Sequence, residues 1–233
     1  PELVGLLTNH HVGREPGQSF YRPTYMPDAQ RIGMVRRTIH HLADEDWIPG
    51  VDEPHAYVII DASFAELSEG VVGENTLLRA EGGRIVTDPL GAVYPIDYDS
   101  MDIIGRPVRK IGQRSGIQSG IIIAAGIAQP HPSQDIDAHV GQSPASYYAD
   151  LAIAPRAPSA YVSAAGDSGS LVVLDTGDDD HNRPVALLWG GSTRDVGRQG
   201  AEPLSYATNL QRILEFMNPV SYTHLRAHET DTD

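Results

Sequence analysis

Gly166-Asp167-Ser168-Gly169-Ser170 is the stretch of this chain best suited to chemistry. Acyl transfer needs a hydroxyl nucleophile on a tight turn, with small neighbours so that a carbonyl carbon can approach. It also needs backbone N–H groups beside that hydroxyl, aimed at the oxygen that turns negative. Gly166 and Gly169 bracket Ser168, and Leu171-Val172-Val173 follows as an apolar run fit for a strand. Average residue usage gives this pentapeptide in roughly one chain in 10⁴ of this length. Taken alone, the run also reads as a Gly-Ser hairpin turn.

Two distant stretches supply the partners a serine needs. In Leu6-Leu7-Thr8-Asn9-His10-His11-Val12 an apolar strand ends in a polar turn carrying histidine. In Ala56-Tyr57-Val58-Ile59-Ile60-Asp61-Ala62-Ser63-Phe64 an aspartate interrupts a run otherwise fit for burial. His11, Asp61 and Ser168 follow one another at intervals of 50 and 107 residues. That chain order is the one used by chymotrypsin-type barrels, whereas subtilisin and the α/β-hydrolases use others.

With these motifs in register, residues 3–217 resemble the chymotrypsin-like serine proteases. The likeness is to their cysteine-free bacterial-type branch and to the related narrow-leaf-type plant peptidases. The resemblance implies an all-β fold of two six-stranded antiparallel β-barrels with a short C-terminal helix. Residues 1–95 would form the first barrel and carry His11 and Asp61. This barrel reads as truncated, because the first strand is already under way at Leu3. Residues 96–219 would form the second barrel and the closing helix, and carry Ser168. Residues 220–233 have no core pattern, resemble translated adapter sequence and are set aside as a non-native tail.

The resemblance also distributes roles. Ser168 attacks the carbonyl; Ser163 and Ser170 lack a glycine on both sides. The family pattern Thr-(Asn or Ala)-x-His-Val selects His11 over His10 as the base. Asp61 orients His11, while its rivals Asp44, Asp46 and Asp52 fall in polar loops. The N–H groups of Gly166 and Ser168 form the oxyanion hole. Trp189, Gly190 and Gly191 match the strand that walls the specificity pocket. Val162, six residues before Ser168, matches its floor, and a neutral floor predicts an apolar or small residue before the scissile bond. In zymogen-activated relatives the aspartate equivalent to Asp167 pairs with a freed N-terminal amine. No activation-site residue is visible here, so Asp167 has no partner legible in the sequence.

Composition narrows the alternatives. A net charge of −14 argues against nucleic-acid and anionic-membrane binding, which need clustered Lys and Arg. The absence of cysteine removes disulfides, thiolate chemistry and Cys-based zinc sites. No run approaches the ~18 apolar residues of a membrane span. Twenty-three Gly and 17 Pro suit many short strands joined by turns. Paired His40-His41 lack the close ligand spacing of a zinc site, so neither metal nor cofactor is implied. The aspartates of 175–182 lack a calcium-loop pattern and read as a solvated hairpin tip.

The elements that must position the site read as follows. Strands are expected at 31–39, 56–67, 84–98 (leading into a crossover from Gly91), 107–113, 120–126, 149–154, 171–174, 185–192 and 204–208. The run Ile121-Ile122-Ile123 predicts a strand buried on both faces. His131 and His139 fall in a polar surface loop. Leu210, Ile213, Leu214 and Met217 recur at helical spacing behind Asn209, which predicts a capped amphipathic helix. The functional expectation is a serine endopeptidase acting on polypeptides through an acyl-enzyme. The alternatives are a silent protease-fold binding module and an esterase using the same triad. Compartment and oligomeric state are not legible.

Overall fold

In a computed structural model, the described residues are 4–22, 29–44, 56–81, 84–129, 146–191 and 203–217. His131, His139, Asp46, Asp52 and the 220–233 segment lie outside them.

The second half of the chain is a closed barrel. Its strands are β7 (Pro107–Gly112), β8 (Gly116–Gln129), β9 (Ser146–Pro155), β10 (Leu171–Leu174), β11 (Pro184–Gly191) and β12 (Ser205–Asn209). They pair antiparallel in the ring β7-β8-β9-β12-β11-β10, and β10 returns to β7. Closure leaves no open sheet edge, so every strand can bury one face. Val108, Ile122, Leu151, Ile153, Val172, Leu174 and Leu188 fill the interior.

The N-terminal half is built on β1 (Gly5–Thr8), β2 (Ser19–Arg22), β3 (Gln30–Asp44) and β4 (Ala56–Leu67). Its order is β1-β4-β3-β2, all antiparallel. Among the described residues, a hairpin of β5 (Thr76–Glu81) and β6 (Arg84–Pro89) pairs only with itself. Among the described residues these strands do not close into a ring. The halves meet where β4 runs parallel to β9, Ala56–Val58 against Ser146–Tyr148.

A second apolar cluster seals that meeting. Leu187 on β11 packs with Ile39, Ile60 and Ala62 of the first half and with Ile213 and Met217 of α1 (Leu210–Met217). The helix begins where expected. The Asn209 side chain accepts from the Gln211 N–H at 3.0 Å, satisfying one orphan donor of the first turn. Arg37 donates to the Met217 carbonyl at the other end. A ten-stranded sheet that includes a closed six-stranded ring, with one closing helix among the described residues, makes the fold all-β.

Three local expectations change. The strand expected at 31–39 continues as β3 through His40-His41 to Asp44, because β4 is long enough to pair with it throughout. The isoleucine run is buried on one face only. Ile122 is enclosed while Ile123 is 43% exposed, as the period-2 alternation of a barrel strand requires. The aspartate-rich tip is tied down rather than merely solvated. Asp180 accepts from Arg106 at 2.6 Å and from Arg183 at 2.8 Å, and both guanidinium groups lie over the Tyr94 ring.

Candidate active site

Alternation along β4 decides where Asp61 points. Ile60 and Ala62 face the cluster under α1, so Asp61 projects from the opposite face. Thr8 of β1 pairs with Ser63 of β4, and the chain beyond Thr8 turns back over Asp61. The turn is held by Val12 and Gly13 N–H groups donating to the Asn9 carbonyl, and by the Ser63 hydroxyl donating to the Gly13 carbonyl at 2.6 Å. Buried Asn9 donates its amide to the Asp61 carbonyl at 2.7 Å.

This geometry brings His11 onto Asp61 by two bonds. The His11 backbone N–H donates to Asp61 Oδ1 at 2.9 Å, and His11 Nδ1 lies 2.5 Å from Asp61 Oδ2. A carboxylate only accepts, so Nδ1 is the donor to it, and the tautomer of the neutral imidazole that makes this bond has its lone pair on Nε2. The Asp61 side chain is 11% exposed and that of His11 45%, which leaves the imidazole open to solvent on a buried anchor.

The serine turn docks against the same place. Gly169 has φ +85°, and a Cβ there would collide with the Thr8 hydroxyl and come 3.1 Å from Thr8 Cα. Only glycine lets the turn lie so close to the end of β1. Leu188 of β11 fixes it from the other side. Its carbonyl accepts from the Gly169 N–H at 2.9 Å, and its N–H donates to the Ser170 carbonyl at 3.0 Å. Leu187 meanwhile faces the cluster shared with Ile60 and Ala62. One strand therefore ties the serine turn to the element that carries Asp61.

Within the turn, the Asp167 N–H donates to Ala164 O, and the Ser170 N–H and hydroxyl donate to Asp167 O. The N–H groups of Gly166 and Ser168 have no such partner among the described residues. Gly166 has φ +99°, a left-handed geometry that glycine adopts without strain.

Sequence reasoning missed the cation beneath the turn. Lys110 Nζ donates to Asp167 Oδ2 at 2.7 Å, and both side chains are within 1% of full burial. The N–H groups of Arg114, Ser115 and Ala164 also donate to the Asp167 carboxylate, at 2.8, 3.1 and 2.9 Å. Burial alone would push this carboxyl up; the Lys110 bond and the other donors outweigh it and hold it well below the usual range. Burial pulls the Lys110 ammonium down, against the attraction of Asp167. The available signal was two adjacent cations, Arg109 and Lys110, inside an apolar strand ahead of a glycine turn. Lys110 shares the inward face of Val108. Arg109 points the other way, where Asp88 and Asn182 receive it beneath the β5–β6 hairpin.

The residues assigned to the specificity wall divide. Trp189 sits in a bulge of β11 between Leu188 and Gly190 and stacks on Tyr206, ring centroids 5.7 Å apart. No described residue occupies the space where a side chain on Gly190 would stand. Gly191 pairs with Ser205 and faces the Ser163 hydroxyl. Val162 is 2% exposed and packs in the barrel core beside Gly120, so its side chain is spent on the interior and Ser163 is what faces the strand. Among the described residues, no three His, Asp or Glu side chains converge as a metal ligand set.

Comparison with known proteins agrees with this architecture. Among solved structures, a chymotrypsin from Cellulomonas bogoriensis aligns with a TM-score of 0.51 at 16% identity, covering 91% of this chain and 82% of that one. A glutamic-acid-specific serine protease aligns at 0.54 and 14% identity, with the same coverage. These likenesses establish the chymotrypsin-like fold. Among curated proteins, Protein NARROW LEAF 1 of Oryza sativa subsp. japonica is 26% identical over 229 residues, which is 91% of this chain. The chain spans 36% of that relative's length. The family model described as the Nal1 C-terminal domain matches residues 2–219. The chain therefore belongs to the Nal1 C-terminal domain family, on a chymotrypsin-like fold.

Proposed function

We infer that this domain is a serine endopeptidase of the trypsin-like type, with His11, Asp61 and Ser168 as its triad and polypeptide as its substrate. The observation that carries the reading is the two-bond attachment of His11 to Asp61 beside the docked Ser168 turn.

In this mechanism Ser168 Oγ attacks the scissile carbonyl while His11 Nε2 accepts its proton. The carbonyl oxygen takes up negative charge and is met by the Gly166 and Ser168 N–H groups. Collapse expels the amine, which takes the proton from His11, and leaves an acyl-serine. Water then attacks that ester, again with His11 as base, and releases the acid. Asp61 stays ionised and holds the imidazolium in place. The Lys110–Asp167 pair braces the turn that presents both N–H groups.

A fluorophosphonate probe tests the reading, because it bonds only to an activated serine. Labelling that disappears in Ser168→Ala is expected. A folded chain that takes up no label is instead a binding module on a protease fold. Turnover of an ester without any turnover of the matching peptide amide would mark an esterase.

A further inference from the structure

We propose that the hydroxyls of Ser163 and Ser205 form the polar end of the specificity site and select glutamine or asparagine before the scissile bond. The inference rests on the peptidase reading and adds the substrate class to it.

The two hydroxyls lie 2.7 Å apart. Ser163 enters the nucleophile turn five residues ahead of Ser168 and is half-buried; Ser205 opens β12 and is almost fully enclosed. Gly191 lies across from Ser205 in the β11–β12 register. A Cβ on Gly191 would stand 3.1 Å from Ser163 Oγ and 3.0 Å from the Leu204 carbonyl. Glycine is therefore what keeps Ser163 uncovered from the strand side. At Gly190 no described residue comes within 4 Å of where a Cβ would be. Leu188, bonded to both Gly169 and Ser170, begins the same stretch of strand. From there to Gly191 is roughly 10 Å along the strand at ~3.3 Å per residue, so the hydroxyl pair and the serine turn are served by one short stretch of β11.

The hydrogen-bond inventory of the pair sets its preference. One hydroxyl proton is consumed between the two oxygens. Among the described residues neither hydroxyl has another partner, so one proton is left to donate, and lone pairs are left to accept. A carboxamide offers an acceptor and donors together and matches this set. A carboxylate needs donors on both oxygens and a compensating charge, while the pair has a single free proton. An ammonium or guanidinium needs a counter-charge, and the bond that these hydroxyls make is to each other, not to an acid. An alkyl side chain would expel water and leave the free proton and lone pairs unmatched. Val162, the basis for expecting an apolar residue here, is enclosed in the core.

The test compares peptide amides that differ only before the scissile bond: Gln, Asn, Glu, Lys and Leu. In parallel, binding of product-like peptides ending in Gln, Glu or Leu to Ser168→Ala is measured by calorimetry, which needs no turnover. The expected result is Gln or Asn ahead of Glu, Lys and Leu by about tenfold or more in kcat/KM and in affinity. The Gln-to-Leu ratio should fall toward one in both Ser163→Ala and Ser205→Ala. Preference for Leu or a charged residue, or a ratio that neither variant moves, overturns the inference. Loss of fluorophosphonate labelling in the unmutated chain overturns the peptidase reading instead, and the calorimetric ranking still decides the selectivity of the pair.

Discussion

Lys110 and Asp167 form an ion pair inside the second barrel, 57 residues apart in the chain and 2.7 Å apart in space. Lys110 rises from β7, and Asp167 is the residue directly before Ser168. The cation is delivered to the floor of the serine turn by a strand of the barrel wall, so barrel closure and turn geometry are one structural fact.

Replacing one partner leaves the other charge buried and alone. Lys110→Met should lower unfolding free energy by about 3–5 kcal/mol in urea titrations, the usual cost of breaking a buried pair. Fluorophosphonate labelling should fall with it, because the turn loses its brace. Full stability in the variant would remove Lys110 from this role.

Acid stability follows from the same carboxyl. Its folded value lies below the ordinary carboxylate value, so its contribution is complete above the unfolded pKa of about 4. That contribution is lost as pH falls from there through the folded value. Urea midpoints measured between about pH 5 and pH 2 should decline in the unmutated chain. The decline should be shallower in Asp167→Asn, and parallel curves would assign the acid loss to other groups.

Gly169→Ala tests the docking of the turn on β1. The positive φ alone costs about 1–2 kcal/mol with a Cβ, and the overlap with Thr8 adds to it. Labelling should drop at least about tenfold. Gly177→Ala is the control: its Cβ would meet nothing within 4 Å, and stability should hold within about 0.5 kcal/mol.

Asp61→Asn separates orientation from packing. The carboxamide is nearly isosteric, but its NH₂ can donate to His11 Nδ1 and so stabilise the wrong tautomer. Turnover of a peptide amide should fall by on the order of 10⁴, with the unfolding midpoint little changed. An unaffected rate would show that His11 draws its orientation from elsewhere.

Sequence pattern reached the features that local periodicity or motif spacing encodes. The helix over 210–217 followed from Leu210, Ile213 and Met217 recurring behind a capping Asn209, and the structure gives that helix and that cap. The placement of His11 against Asp61 was what the family resemblance implied, through motif order and the Thr-Asn-x-His-Val pattern. What escaped was set by contacts between distant strands. Nothing in the local spacing around Lys110 points to Asp167, since the partners meet only after six strands close. Ser163 looked like a failed nucleophile until the β11–β12 register brought Ser205 and Gly191 to it. Ile121-Ile122-Ile123 looked buried throughout because a run of one residue type hides alternation. The parallel joint between β4 and β9 had no local signal, because parallel neighbours are never adjacent in sequence.

Trp189 gives the site an optical readout of its own. The chain has two tryptophans, Trp47 and Trp189. The second lies beside Gly190, its ring stacked on Tyr206 and its buried Nε1 without a hydrogen-bond partner among the described residues. The residue is half-buried with its nitrogen covered, and the emission of such an indole responds to any acceptor or water admitted to that nitrogen. In a Trp47→Phe background, the spectrum of one residue follows occupancy along the strand from Leu188 to Gly191. Binding there can then be timed in a stopped-flow mixer without attaching a dye to protein or peptide.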